Sequence, residues 1–509
     1  MTSDMTTSEG VPPLRLLAGA EGADGIGSRE AGSGQESPAD LDAAGDDMAL
    51  ARDFMRFLAD GDRLIRFSSR DLLWEYDHSR GLWRRLTKGD IMAFNALLYG
   101  FVRDRLPAKD RDNRTTPRYR SVRRVLFETL GEHYIAPKGL DANPNLIAFR
   151  NGIYDIERDE LLPHDPSYMI TITRDYGYDP TATCPRFMRF LDEVLVRHLD
   201  PSDETSPLGP DPELQLLVQE MIGCCFATHC RAERGFFLHG DGRNGKSALI
   251  RVIRQVVGEH NVCDGFDVRQ MANPQMNAKL IGKLVAVQTE LDAGATIPDA
   301  RYKALVSGKA MTAKEVYRVP VPFAPFATPI MAGNNLPATR DRSMGFWART
   351  IVIPLLATFE GDAADANLQD RFVPELSGIV NFAIEGYRRL RDNGWRFSEA
   401  VAAPAATLRY REETDAVLSW FSDSLRAARP GVRVQTATLF DHYAEYCRRF
   451  RFVADNATRF SKRLKQIVDG REGQPWSTVA DDGTPFTISF DRDATTRGYV
   501  GTFQLVSEA

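Results

Sequence analysis

The chain has 509 residues, 43% of them hydrophobic, and a net charge of −6. That length leaves room for roughly three domains. No window approaches the ~20 apolar residues of a bilayer-spanning helix, and no basic segment followed by an apolar run marks a secretory leader, so a reducing, cytoplasmic setting without a membrane partner is expected. Residues 1–50 hold ten Asp/Glu against two Arg, a net of −8, so residues 51–509 carry +2. A polyanion partner must therefore be held by local patches.

In chain order, residues 1–47 read as a disordered acidic tail, too poor in apolar side chains to offset the entropy of ordering. Order is expected from Met48, with the helical pattern MALARDFMRFLADGDRL. Two short strands and a helix follow in RFSSRDLLWEYDHSRGLWRRLTKGDI. LIAFRNGIYDIERDELLPHDP reads as strand, turn, strand, with the tight turn at Asn151-Gly152. Residues 48–205 thus form an α+β domain, and Asp203 to Glu213 a linker. From residue 206 to 395, strands alternate with helices, which predicts an α/β core on a largely parallel sheet. SEAVAAPAATL marks a second boundary. Residues 405–509 open with three helical stretches and end in the strands FTISF and YVGTFQLV around a turn at Asp482-Gly483, an order that suggests a winged helix. The six cysteines, Cys184, Cys224, Cys225, Cys230, Cys263 and Cys447, lack CxxC spacing. That argues against a zinc ribbon and a disulfide scaffold. The cluster Cys224, Cys225, His229 and Cys230 reads as a buried helix flank.

The chemistry concentrates in GFFLHGDGRNGKSALIRVI. Gly240, Gly245, Lys246 and Ser247 fill the pattern GxxxxGK[ST], between an apolar strand and a helical repeat that stops at Gly258. Strand, loop and helix together make a phosphate cradle of Gly240, Asp241, Gly242, Arg243, Asn244, Gly245, Lys246, Ser247 and Ala248 for ATP. Lys246 supplies charge and the Ser247 hydroxyl a ligand for Mg²⁺. KLVAVQTELD places Glu290 just past an apolar strand, where a carboxylate positions Mg²⁺ and the attacking water; Asp292 is the weaker candidate, and an ordinary solvated acid is the plain alternative. TPIMAGNNLP ends a buried strand in Asn334, an amide able to orient water beside a γ-phosphate, or to serve only the turn before Pro337. Arg349 precedes the strand TIVIPL, a rigid mount for an arginine that stabilises phosphoryl charge. Arg342 reads as a loop salt-bridge residue.

In register, GDGRNGKS, GKLVAVQTELD, the stretch from YKALVSGKAMTAKEVYRVPVPF to GNNLP, and RDRSMGFWARTIVIP resemble the superfamily 3 helicases. The resemblance is to the satellite-phage, plasmid and poxvirus primase–helicase type and extends from about Met48 to the end. It implies an AAA+-like phosphate-loop ATPase core in a hexameric ring on single-stranded DNA at an origin or fork. Lys246, Ser247, Glu290 and Asn334 would act in cis, and Arg349 on the neighbour's nucleotide. It also implies a DNA-contacting hairpin at TAKEVYRVPVPF, where Lys314 and Arg318 hold phosphates and Tyr317 stacks on a base. The single Glu290, preceded by Gln288 and Thr289, departs from members with adjacent acids. No strand bears the Asp-x-Asp pair of a two-metal polymerase, so primer synthesis is expected to be absent or supplied by a separate primase or polymerase. In the C-terminal region, the helix NATRFSKRLKQIV is expected to be capped by Thr458 or Asn456. It would present Arg459, Lys462, Arg463 and Lys465 on its outer surface to DNA. The other reading is an initiator or ATPase switch that uses ATP to assemble a ring without unwinding.

Overall fold

The structure is a computed structural model that describes residues 38–505 apart from 70–71, 129–130, 136–138, 201, 204, 229, 291–295, 316–319, 335–336, 340–343, 360–366, 451–453, 470–487 and 493–496. The expected disorder of residues 1–37, the turn at Asp482-Gly483, and Asp292, His229 and Arg342 lie outside the described residues. Two compact units are distinguished, Met1–Met55 with Leu98–Thr129, and Arg56–Leu97 with Leu130–Ala509.

The first unit takes in most of α1 (Pro38–Asp60), the C-terminal part of α2 (Lys88–Asp104) and α3 (Arg111–Glu128). α1 begins ten residues before Met48, a correction to the expected boundary. The added segment is rich in Ala and Asp, with Pro38 at the first position, where its missing N–H costs no helical bond. Ala51, Phe54, Leu98, Val102, Val122 and Leu126 are buried, and Phe54 meets Phe101 edge-on at 5.1 Å.

The second unit opens with an antiparallel meander of β1 (Ile65–Ser69), β2 (Leu72–Asp77) and β3 (Leu82–Arg85). It has three strands where two were expected. The alternation of buried Ile65 and Phe67 with half-exposed Arg66 and Ser68 is a short period-two pattern that supplies the third. β4 (Leu146–Phe149), β5 (Gly152–Asp155), β6 (Glu160–Leu162) and β7 (Thr173–Arg174) form a sheet in the order β6-β5-β4-β7. Asn151 sits in the β4–β5 turn as expected, and its side chain exchanges hydrogen bonds of 2.9 and 2.8 Å with the backbone of Tyr178.

α4 (Pro185–Val194) leads into the hairpin β8 (Val196–His198) and β9 (Leu208–Pro210). Residues 203–213 are therefore no free linker. They contain β9 and Asp211, whose carboxylate caps α5 (Pro212–Phe226) by accepting from the N–H groups of Glu213 and Leu214 at 3.1 and 3.0 Å. The physical reason is a continuous core. Phe149, Tyr154, Phe187 and Leu191 pack in one cluster with Leu217, Leu249 and Ile253 from the following segment.

Next come β10 (Gly235–His239), α6 (Lys246–Val257), β11 (Val262–Cys263), α7 (Pro274–Ala278), β12 (Val285–Gln288), β13 (Thr296–Ile297), α8 (Asp299–Val306), β14 (Met311–Ala313), β15 (Val321–Phe323), β16 (Thr328–Gly333), β17 (Ala338–Thr339), α9 (Met344–Trp347), β18 (Thr350–Pro354), α10 (Leu368–Phe372), α11 (Leu376–Asp392) and α12 (Ala402–Thr414). The central sheet runs β11-β12-β16-β10-β18, with every pair parallel. Strands buried on both faces read as unbroken apolar runs, as Phe236–Leu238 and Ile330–Ala332 do. The second expected boundary also folds onto this sheet. Thr407 Oγ1 in α12 accepts from the Val352 N–H at 3.3 Å, and Tyr410 packs against Phe237 and Trp347.

The C-terminal part consists of α13 (Ala416–Ser424), β19 (Leu425–Gln435), α14 (Thr436–Arg449), α15 (Ala457–Val468), β20 (Ile488–Arg492) and β21 (Arg497–Leu505), with an antiparallel sheet in the order β19-β21-β20. β19 was not expected, since this region read as helical stretches up to its last two strands, and Pro430 and Gly431 interrupt the strand. The ladder absorbs them in a register shift between Ala427 and Val432. Cys224 and Cys230 are disulfide-paired, contrary to the expected reduced flank, and the other four cysteines are buried thiols. Among the described residues no helix is long and apolar enough to cross a membrane, and no group of three His, Cys, Asp or Glu could hold a metal ion.

Candidate nucleotide and nucleic-acid sites

β10 stops at His239, and residues 240–245 turn the chain into α6, whose first residue is Lys246. Gly245 has φ +89°, and a Cβ there would stand 2.6 Å from Val194 Cγ1, so this corner requires glycine. Asn244 is buried and donates to the Leu355 carbonyl at 3.2 Å, which ties the loop to the strand beyond β10. The Lys246 ammonium donates to the Gly240 carbonyl, to Asn244 Oδ1 at 2.9 Å and to Asn334 Oδ1 at 3.3 Å. Burial lowers its pKa, against the opposing pull of Asp241. Asp241, Arg243 and Ser247 are exposed, and Gly242 and Ala248 half-buried. The N–H groups of the first turn, including those of Ser247 and Ala248, have no helical acceptor.

A parallel sheet opens the C-terminal ends of all its strands on one edge. The register of His239 with Gly333 and of Gln288 with Met331 puts Gly240, Asn334 and Glu290 on that edge together. His239 Nε2 lies 3.1 Å from the Asn334 carbonyl. Glu290 is exposed, and its backbone is held from behind: the buried Gln288 side chain donates to the Glu290 carbonyl at 3.2 Å and accepts from the Val268 N–H at 3.0 Å. Gln288 is thus a positioning residue. Its signal in the sequence is a lone amide closing an apolar strand.

Arg349 lies at the opposite edge. Its carbonyl accepts from the Gly235 N–H at 2.9 Å, at the beginning of β10. A five-residue strand, about 16 Å at 3.3 Å per residue, separates it from its own chain's loop. The guanidinium donates to Ser307 Oγ at 2.9 Å, to the Gly345 carbonyl at 3.0 Å and to Glu233 at 3.2 Å, and the Ser307 hydroxyl donates to the same Glu233 oxygen at 2.9 Å. Glu233, Arg234 and Ser307 line a cavity of about 370 Å³. Burial and the Arg349 charge both lower the Arg234 pKa. The sequence reading missed Glu233 and Ser307, because they lie 116 and 42 positions from Arg349 and no local pattern links them.

The hairpin expected to touch DNA exists as β14 paired with β15, Met311 opposite Phe323. Lys314 is exposed at the loop end of β14, while Tyr317 and Arg318 lie outside the described residues. The hairpin is anchored by Glu315, which binds Arg85 of β3 through two hydrogen bonds of 2.7 and 3.2 Å. On α15, Asn456 is the cap, accepting from the Arg459 N–H at 3.0 Å. Arg459, Lys462 and Lys465 are exposed, and Lys465 pairs with Asp469 at 2.9 Å. Arg463 is a correction: it is buried, and its Nε donates to the equally buried Asp415 at 2.6 Å. It shares the inner face with Phe460, Leu464 and Ile467, a spacing that could have revealed it.

Residues 50–196 match the family described as D5 N terminal like, and residues 238–349 match a family of unknown function, DUF5906. "Putative helicase L207/L206" of Acanthamoeba polyphaga mimivirus is 24% identical over 314 residues, covering 57% of this chain and 31% of that protein. "Putative helicase 121R" of Invertebrate iridescent virus 3 is 25% identical over 230 residues, covering 43% of this chain and 24% of that protein. Both relatives carry the name putative helicase, and the first family match is to the N-terminal region of D5-like proteins. The chain spans less than a third of the length of those two proteins. Among solved structures, the A-form apo C-terminal region of NrS-1 is similar at a TM-score of 0.44 and 11% identity, covering 90% of this chain and all of that one.

Proposed function

We propose that this chain is a superfamily 3 helicase of the phage and viral primase–helicase type: an ATP-dependent replicative DNA helicase of a phage, prophage or plasmid-like element, with ATP and Mg²⁺ as cofactors, working on single-stranded DNA as a hexameric ring. One observation carries the reading. Lys246 and Asn334 meet at one edge of the sheet, and Arg349 sits at the other, so a complete hydrolytic site needs two copies of the chain. The chemistry of the edge fits a triphosphate. Lys246 is held on neutral oxygens, and among the described residues no carboxylate lies within ion-pair distance of its ammonium group. The exposed Ser247 hydroxyl and Glu290 carboxylate are the groups that would hold Mg²⁺. When bound, the metal would neutralise charge on the transferred phosphoryl group. Gln288 would fix the Glu290 backbone, and Asn334 would orient water.

The strand order β11-β12-β16-β10-β18 supports an AAA+-like core, because it flanks the loop-bearing strand with the Asn334 strand. The order helix, strand, helix, helix, strand, strand from α13 to β21 supports a winged helix, with Arg459 and Lys462 facing DNA. That same exposed basic face favours the second reading, an initiator that binds an origin and uses ATP only for assembly.

The test is ATP hydrolysis and strand displacement by the purified chain. Single-stranded DNA is expected to stimulate hydrolysis, and Lys246→Ala to abolish both activities. Lys314→Ala is expected to abolish displacement while sparing DNA-stimulated hydrolysis. Hydrolysis indifferent to DNA, with no displacement by the unmodified chain, would overturn the motor reading.

A further inference from the structure

The net charge of −6 conceals one strongly cationic stretch. Residues 98–129 carry nine Lys/Arg against four Asp/Glu, a net of +5, and eight of the nine are Arg. They belong wholly to the first compact unit. α3 buries Thr115, Val122 and Leu126 on one side. Arg111, Arg114, Arg120 and Arg124 are exposed around the rest of the helix. Arg118 turns inward to α1, where it ion-pairs with Asp47 at 2.6 Å and Asp46 at 3.6 Å. Arg120 and Arg124 stand one turn apart opposite the buried side. Among the described residues no carboxylate lies within ion-pair distance of either. The Arg114–Asp110 pair is long, 3.9 Å, and exposed, so it neutralises little.

Like charges at three- and four-residue spacing repel one another unless an anion covers them. The two pairs, Arg111 with Arg114 and Arg120 with Arg124, together span about 20 Å of the helix axis at 1.5 Å per residue, the reach of several consecutive phosphates. Guanidinium groups match phosphate oxygens in pairs, which distinguishes this face from a lysine-rich solubilising one. An aromatic platform adjoins it. Tyr99, 38% exposed, meets Tyr119 edge-on at 5.5 Å, and its hydroxyl lies 3.4 Å from Thr116 Oγ1. Two pairs of exposed cations beside a partly exposed ring supply the two elements of single-strand binding, phosphate tracking and base stacking.

We propose that α3, with the end of α2, is a single-stranded DNA contact of this chain, separate from the β14–β15 hairpin and from α15. It does not depend on the nucleotide site, so it stands or falls apart from the motor reading.

The experiment measures binding of the full chain to a labelled oligothymidylate by anisotropy across a salt series. The variant combines Arg114→Gln, Arg120→Gln and Arg124→Gln. Each lost phosphate contact reduces the slope of log K against log salt by about 0.7 on a single strand, so the slope should become shallower by about 2. The same change is expected in a Lys246→Ala background, and the three corresponding Arg→Lys changes should restore most of the slope. Unchanged affinity and slope would overturn the proposal. So would an equal loss on blunt duplex and none on the single strand, which would assign the surface to duplex. Competition by a peptide of residues 1–37 with no DNA effect of the triple variant would assign it to the acidic tail instead. A chain that retains the arginine-dependent slope but hydrolyses no ATP would sink the motor and leave this surface standing.

Discussion

Arg463 and Asp415 show how one buried pair can convert an apparent DNA contact into a structural element. Their side chains are 4% and 2% exposed, and Asp415 also accepts the N–H groups of Val417 and Leu418 at the start of α13. The pair therefore bolts α15 to α13 inside the core of Trp420, Tyr443 and Phe460. Removing one partner leaves the other charge in a low-dielectric interior, a loss of about 3–5 kcal/mol. Arg463→Ala is accordingly expected to unfold at markedly lower denaturant. Lys462→Ala, at an exposed neighbour, is expected to stay within about 0.5 kcal/mol of the parent. Equal midpoints for the two variants would show that Arg463 carries no such load. The Arg349, Ser307 and Glu233 triad follows the same logic at a more open place. One serine hydroxyl, at the end of α8 and just before β14, joins the arginine to the segment that builds the hairpin.

At the scale of elements, the loop that holds Lys246 depends on a helix crossing remote from it. α5 delivers the chain into β10, and it packs on α11 through Gly223 and Gly386. A Cβ at Gly223 would stand 2.5 Å from the Ala383 carbonyl oxygen and 2.6 Å from the Tyr387 nitrogen. The helices touch backbone to backbone, and fully buried Glu220 locks the crossing by accepting from Arg389 at 2.7 Å and from the Ser398 N–H at 2.7 Å. Gly223→Ala overpacks this contact and should cost about 1–3 kcal/mol, read as an earlier urea midpoint; an unshifted midpoint would show that the helices can part without penalty. None of this was legible in the sequence, where Gly223 is one small residue in an apolar helix. The loop itself was legible, because its glycines, lysine and flanking strand lie within one local stretch. Asn334 was legible for a related reason, being the polar end of a buried strand. β19 was hidden because Pro and Gly signal turns locally while its partner, β21, lies more than sixty residues on, and β9 was hidden because its three residues, Leu208–Pro210, include Gly and Pro although its partner β8 is close by.

At the scale of the whole molecule, the direction of the parallel strands matters most. Every C-terminal end opens on the Lys246 edge, and Arg349 precedes β18, so strand direction alone keeps the arginine away from its own chain's loop. On the proposed reading, a monomer on this plan would have a nucleotide cradle without a finger and a finger without a cradle. Lys246→Ala and Arg349→Ala, each expected to be inactive alone, would then break different halves of each proposed seam between copies. A ring assembled from an equal mixture contains seams where the Arg349→Ala copy supplies an intact Lys246 and its neighbour, the Lys246→Ala copy, supplies an intact Arg349. Random mixing makes roughly a quarter of the seams complete in this way. Hydrolysis should reappear on mixing, toward that fraction of the parent rate, after co-refolding or subunit exchange confirmed by mass measurement. The double variant mixed with itself should stay silent. Recovery absent from mixed rings of confirmed composition would mean that Arg349 does not act across the seam, and full activity of Arg349→Ala alone would mean that the seam is not where ATP is hydrolysed. The Glu233 pairing adds a sharper expectation. Since Glu233 holds the Arg349 guanidinium within its own copy, Glu233→Gln should impair only the copy that donates the arginine. In mixed rings it should depress activity when placed on the Lys246→Ala chain and leave it unchanged on the Arg349→Ala chain.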